Sequence, residues 1–161
     1  MSLLLEVENL STSFGSGSKE IAAVRGVSFY IKKSETVALV GESGSGKSVT
    51  ALSSMRLLPY PLAHHPTGSI RFKNEELLTA PESRMRDLRG NDLAMIFQEP
   101  LNSLNPLHSV EKQIAETLLL HKAFTKTNAR KKVIELLRLV GLEAAIERLS
   151  ALPHEFSGGQ Q

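Results

Sequence analysis

The chain has 161 residues, 41% hydrophobic and 22% charged, the balance of a globular protein of one-domain size with room for a substantial core. No apolar run reaches membrane-spanning length, Met1–Glu6 lacks the basic start and long apolar centre of a secretory signal, and the absence of cysteine excludes disulfides and thiolate metal sites. A net charge of +2 is too weak a bias to argue for a nucleic-acid partner, and a cytoplasmic location is the simplest expectation. Leu3 to Val7 and Val27 to Ile31 have the composition of strands. Between them, Ser11 to Ser18 is a turn-rich linker with one aromatic, Phe14. That ring either fills core or offers a face on which a base stacks.

Thr36 to Val40 is a short β-branched, apolar run of the kind found in a buried parallel strand. Gly41-Glu42-Ser43-Gly44-Ser45-Gly46-Lys47-Ser48 follows, with the spacing G-x-x-x-x-G-K-S, and then a helical stretch to Leu58 stopped by Pro59. Strand, glycine-rich turn and helix are the context that a phosphate-binding loop needs. Gly44 and Gly46 let the backbone wrap an anion closely, and the amides of Gly44 through Ser48 can point at it from the positive end of the helix. Lys47 supplies a mobile cation for the β- and γ-phosphates, and Ser48 a hydroxyl for Mg²⁺. The pattern implies a nucleoside triphosphate site.

Pro59 to Thr67 is expected as a loop, and Ser69 to Phe72 as a strand turning at Lys73-Asn74. His64 and His65, adjacent and without a third ligand nearby, are expected to be solvated rather than metal-bound. Glu82 to Arg89 predicts a short helix closed by Gly90, and Leu93 to Phe97 another buried strand, ending at Gln98-Glu99-Pro100. Two amphipathic helices follow. Val110, Ile114, Thr117 and Leu118 share a face of the first, over Val110 to Leu120. Val133, Leu136, Leu137 and Val140 share a face of the second, over Thr127 to Val140, with Thr127 as N-cap and Gly141 as stop. Arg130-Lys131-Lys132 lies among acidic residues and is expected as a solvated face. The last residues, Phe156-Ser157-Gly158-Gly159-Gln160-Gln161, make another anion-friendly turn where a helix should begin.

Taken together and in this order, these residues resemble the ATP-binding domain of ABC transporters. Gly41–Ser48 matches the Walker A motif, Gln98 the Q-loop glutamine, Ser157-Gly158-Gly159-Gln160 the signature motif, and Phe14 the aromatic that stacks on adenine. Gln98-Glu99-Pro100 with Ser103-Leu104-Asn105-Pro106, and Pro153-His154-Glu155, are similar to the ATPases of dipeptide and oligopeptide importers. The wording from Arg89 to Pro106 most resembles the tandem ATPases of microcin C-type peptide importers. The resemblance implies an α/β P-loop NTPase fold with an antiparallel β region (1–35), a core from Walker A to Q-loop (36–98) and an α-helical subdomain ending at the signature (99–161). It implies ATP and Mg²⁺ as cofactors, held by Phe14, Gly41, Ser43, Gly44, Ser45, Gly46, Lys47, Ser48, Val49 and Gln98, with Ser48 and Gln98 toward the metal. A second ATP-binding domain, in the same or another polypeptide, would pair head to tail, its nucleotide covered by Ser157, Gly158, Gly159 and Gln160. Permease subunits would dock on the Q-loop and helical region at the cytoplasmic face of the membrane, driving uptake of peptides or related small solutes.

The sequence departs from that family in one respect. No apolar strand ending in Asp, catalytic Glu or switch His follows the signature. Asp87 and Asp92 are the only aspartates, and Asp92 precedes its apolar run. Glu99 is the single carboxylate just past an expected strand, a position that is not catalytic in the family. The expectation is therefore a domain truncated after its signature and unable, by itself, to turn over ATP. The alternatives are a catalytically inactive nucleotide-binding fragment, or a non-transport ABC ATPase of DNA repair or translation. The Ser103–Pro106 loop, similar to a transporter coupling region, argues against the last.

Overall fold

The computed structural model describes residues 3–97 and 104–160, which fall into two compact units, residues 1–86 and 87–161. The first is built on β1 (Leu3–Phe14), which pairs antiparallel with β2 (Ile21–Lys32) from Leu3↔Lys32 to Phe14↔Ile21. Both strands run well beyond the lengths expected from composition. The supposed linker Ser11–Ser18 is strand up to Phe14, and Gly17–Lys19 forms one turn of 3₁₀ helix.

A defect in the pairing explains why β1 shows no simple alternation. The register slips between Val7 and Leu10, where Asn9 has a positive φ of 44°, and again between Leu10 and Thr12, where Gly26 of β2 has one of 64°. The Asn9 amide donates to the Ser28 hydroxyl and the Gly26 amide to the Ser11 hydroxyl, so the disrupted ladder is satisfied by side chains. One extra residue moves the inward set from odd to even positions. Val7 is buried before the slip, and Leu10 and Thr12 after it.

The sheet is completed by β3 (Ala63–His64), β4 (Ser69–Phe72) and β5 (Glu75–Glu76), in the order β2-β1-β4-β5 with β3 also on β1. Thus the expected loop from Pro59 to Thr67 contains a short strand. In β4, Ile70 and Phe72 pair with Val7 and Leu5 and face the core, whereas Arg71 pairs with Glu6 on the other face and also meets Glu8 at 2.9 Å. Lys73 and Asn74, both at positive φ, turn the chain into β5 as the sequence predicted. Gly68 passes so close to β1 that a Cβ would lie 2.5 Å from the Leu10 Cα, and its φ of +107° further disfavours any side chain.

One helix, α1 (Lys47–Ser54), packs on β1 and β2. It ends four residues short of the expected Leu58, with Arg56 at positive φ. A second helix, α2 (Glu82–Leu88), stops before Gly90 as expected.

In the second unit, α3 (Val110–His121) and α4 (Lys126–Leu139) form a helical hairpin, followed by the short α5 (Glu143–Ile146). Val133, Leu137, Ala145 and Leu149 are its buried centre, against which Ile114, Leu118 and Phe156 pack. Ser109 caps α3 by accepting from the Lys112 amide. The cap of α4 is Thr125 rather than Thr127: its hydroxyl accepts from the Asn128 amide, three residues on, as the N-cap geometry requires. Gly141 stops α4 at φ 73°. Thr117 is exposed, and Val140, also exposed, lines the same apolar cavity as Leu136 and Leu137. Arg130 and Lys132 engage Glu111 and Glu135, so this stretch is a solvated, ion-paired face.

Two expected strands are corrected. Thr36–Val40 and Leu93–Phe97 are extended or irregular chain outside any ladder apart from a single bridge of Leu93 to Arg89, and Val40 and Ile96 are 89% and 94% exposed. A parallel strand is held by hydrogen bonds to neighbours distant in sequence, and among the described residues these runs have none.

His65 is also a correction, being half-buried and bonded rather than solvated, whereas the partly exposed His64 meets Glu20 at 3.2 Å. Burial holds the His65 imidazole below its ordinary value of 6.5, helped by His64 and Arg56. The unfolded chain therefore takes up this proton first. The contribution is intact above pH 6.5 and is lost as pH falls through the lower folded value. Urea denaturation between pH 7.5 and 5.5 should show a fall in stability whose slope is shallower in His65→Asn; identical slopes would contradict this assignment.

Candidate phosphate-binding site

The loop Gly41–Gly46 carries the chain into α1, and its sequence explains its course. Gly44 and Gly46 have φ of 81° and 89°, the left-handed region that glycine enters without strain. At Gly46 the constraint is double. It is the N-cap of α1, and a Cβ there would lie 2.6 Å from the Ala23 carbonyl oxygen and 3.1 Å from a Val24 methyl. The loop is thus pressed onto β2 at a point where only glycine fits.

The hydrogen bonds of the loop leave several donors uncommitted. Ser45 donates its amide to Glu42, and the Thr50 amide and hydroxyl both bond the Gly46 carbonyl, closing the first turn of α1. Among the described residues, the amides of Gly44, Gly46, Lys47 and Ser48 have no acceptor, and neither has the Ser48 hydroxyl, which is exposed. These unsatisfied amides lie at the positive end of α1. The Lys47 ammonium folds back over the loop, donating to the carbonyls of Gly41 (2.8 Å) and Glu42 (2.6 Å) and to the Ser45 hydroxyl (3.2 Å). A cavity of about 160 Å³ opens here, lined by Ala23 and by Gly44, Ser45, Gly46, Lys47, Ser48 and Val49. Four amides, one ammonium and one hydroxyl around a small cavity suit a polyanion and its divalent counter-ion. Ser43 stands exposed in the turn and does not line this cavity.

Phe14 is not in a flexible loop. It is the last residue of β1, half-buried, paired with Ile21 of β2 and Ala63 of β3. Ile21 lies two residues from Ala23, so Phe14 belongs to the end of the ladder that carries the cavity wall. Gln98 lies outside the described residues, as do Glu99 and Ser103.

In the second unit, Ser157–Gln160 form an exposed turn. The Gln160 amide donates to the Ser157 carbonyl (2.9 Å), while the Gln160 side-chain oxygen accepts from the Ser157 amide (2.9 Å) and hydroxyl (3.1 Å). This reach-back of Gln to Ser is half of a capping box, the geometry of a helix start. The Gly158 and Gly159 amides have no acceptor among the described residues, and open space surrounds both α-carbons. Phe156 anchors the turn on the α3–α4 core. A cavity of about 330 Å³ in this unit, lined by Leu104, Ile114, Leu136 and Phe156 among others, has no cationic side chain and does not suit a phosphate. Ala23 and Val24 were not legible as site residues. Nothing in a strand of small residues announces the loop that will press on it.

The comparisons with known proteins fit this geometry. The chain is 55% identical over 158 residues to the peptidoglycan transport ATP-binding protein YejF of Agrobacterium fabrum, covering 98% of this chain and 29% of that protein. It is 46% identical to the oligopeptide transport ATP-binding protein OppD of Bacillus subtilis, over 98% of this chain and 44% of that one. The dipeptide transport ATP-binding protein DppD of Bacillus subtilis is 48% identical over the whole of this chain and 48% of its own length. The chain thus spans less than half of each of these relatives. In three dimensions it is similar to the dimeric ATP-binding cassette MJ0796 bound to ADP and Pi, with a TM-score of 0.79 at 25% identity over 97% of this chain and 64% of that one. A second dimeric structure of MJ0796, described as a bacterial ABC transporter cassette, gives a TM-score of 0.78 at 26% identity, over 97% and 64%. These likenesses give the α/β fold of an ABC ATPase cassette, with the antiparallel sheet and the helical region seen here. Residues 24–161 match the ABC transporter family model, and the chain belongs to that family.

Proposed function

We propose that this chain binds ATP with Mg²⁺ and forms the nucleotide-binding part of an ATPase that energises import of peptides or related small solutes. The observation that carries the reading is the set of acceptor-free amides of Gly44, Gly46, Lys47 and Ser48 gathered under the Lys47 ammonium. The amides and Lys47 bind and orient the phosphates, Lys47 exchanging its carbonyl partners for phosphate oxygens. Ser48, whose hydroxyl is uncommitted, would hold Mg²⁺, with Gln98 as the second proposed ligand. The ion would neutralise charge on the β- and γ-phosphates. Gly41, Ser43, Ser45 and Val49 shape the loop and its first helical turn, and Phe14 supplies a stacking face for adenine. The peptide-import part of the reading is supported by the names of the relatives that match almost the whole chain.

In the same reading, Ser157–Gln160 cover the nucleotide of a second ATP-binding domain, which the dimeric form of the similar cassettes favours. Their free amides and open surroundings suit an anion presented from outside. The second domain belongs either to another chain or to the same polypeptide, and permease subunits meet the segment around Gln98 and the helical region, at the cytoplasmic face of the membrane. No helix among the described residues is long and apolar enough to cross a membrane. Hydrolysis needs an aspartate for the metal and a carboxylate for the attacking water. Asp87 and Asp92 do not follow a strand, so these 161 residues by themselves are not expected to release phosphate.

Titration with Mg²⁺-ATP should give saturable binding that Lys47→Ala abolishes; wild-type affinity in that variant would refute the site. Phe14→Ala should keep the circular dichroism of the parent and weaken ATP by about 5- to 150-fold, the range expected for one base–aromatic stack. Unchanged affinity would make Phe14 a packing residue only.

A further inference from the structure

Beneath α1 runs a line of polar groups that the phosphate-binding reading does not use. The Tyr60 hydroxyl lies 2.7 Å from His65 Nε2, and His65 Nδ1 lies 3.1 Å from the Thr12 hydroxyl. Thr12 Oγ1 is 3.4 Å from Ser53 Oγ, and Ser53 donates to the Val49 carbonyl at 2.7 Å. Thr12 and Ser53 are completely buried, on β1 and α1 respectively. The residue at the end of this line, Val49, lines the phosphate cavity.

Proton counting gives one self-consistent set of directions for these contacts, the ring also meeting the Ser11 backbone. Ser53 has one hydroxyl proton, which goes to Val49, so toward Thr12 it can only accept. With Thr12 donating to Ser53 across their 3.4 Å contact, it accepts from His65. His65 therefore carries its proton on Nδ1, and in the neutral ring Nε2 accepts from Tyr60. Thr12 is also the β1 residue opposite Val24, the neighbour of Gly46 on β2. The phosphate loop is thus referenced to the sheet twice, at Gly46 through Val24 and at Val49 through Ser53 and Thr12.

We propose that His65 is a positioning residue for the phosphate site: by donating from Nδ1 to Thr12 it orients the Thr12–Ser53 contact that sets α1, and with it the Lys47 and Ser48 amides, against the sheet. The inference rests on the ATP-binding reading of the loop. His64 and Arg56 are the charged or titratable neighbours that act on the His65 ring, together with burial and the Ser11 backbone, and Tyr60 contacts it directly. Protonation leaves Nδ1 a donor, so the relay persists in acid even though folding then weakens.

The test uses the full-length protein and two amides that divide the functions of the ring. Asn places its NH₂ near the position of Nδ1, whereas Gln reaches only toward that of Nε2. His65→Gln should weaken Mg²⁺-ATP binding about three- to tenfold, the worth of one intramolecular hydrogen bond, and His65→Asn should stay within about twofold of wild type. Thr12→Val should produce the same loss, and adding His65→Gln to it should cost little more. Melting temperatures of all variants separate folding from binding. Equal affinities for His65→Gln and His65→Asn, or a lowered melting temperature with unchanged ATP affinity in His65→Gln, would overturn the proposal. Failure of the wild-type protein to bind ATP would instead overturn the reading of the loop, and the relay with it.

Discussion

The glycine-rich loop proposed to bind phosphate depends on one close approach, that of Gly46 to the Ala23 carbonyl of β2. A loop that must present four bare amides cannot stabilise itself through them, since any internal acceptor would compete with the ligand. Its shape must come from outside. Contact with β2 at Gly46, closure of the helix turn by Thr50, and the return of Lys47 to the Gly41 and Glu42 carbonyls together supply it. The antiparallel sheet is therefore the reference surface against which the amides are held, and preorganised donors bind charge better than donors that must first be ordered.

This dependence gives the unusual features of β1 a purpose. Its slip near Asn9 shifts the inward set from Val7 to Leu10 and Thr12, both fully buried. Without the slip, Thr12 would point away from Ser53. The glycine at position 68 then allows the returning chain to pass against Leu10, which bonds Ser11 to Thr67 through the backbone. A second anion-friendly turn, Ser157–Gln160, is built on a different plan, with the Gln160 side chain satisfying Ser157 and Phe156 fixing the turn to a helical core.

How much of this could be taken from the sequence depended on whether the information was local. The glycine turn into α1, the Lys73-Asn74 turn, the stop at Gly141 and the α3–α4 pair follow from spacing, glycine and periodicity, and all stand in the structure. The cap of α4 was misplaced by two residues because Thr125 and Thr127 offer the same chemistry, and only the backbone at the turn chooses between them. Thr36–Val40 and Leu93–Phe97 have the composition of buried strands, yet strand pairing is a non-local property that composition cannot supply. Phe14 was placed in a linker because serine and glycine surround it, while its pairing with Ile21 and Ala63 depends on chain far from it in sequence. His65 looked solvated for the same reason, its partner Thr12 being 53 residues away.

The central claim is that a preformed ring of backbone amides receives the phosphates. It is tested most directly by following backbone amide resonances of the full-length protein as Mg²⁺-ATP is added. The largest saturable shifts are expected on Gly44, Gly46, Lys47 and Ser48. Unmoved resonances at these four positions, with shifts concentrated instead on the apolar cavity beside Leu136 and Phe156, would contradict it.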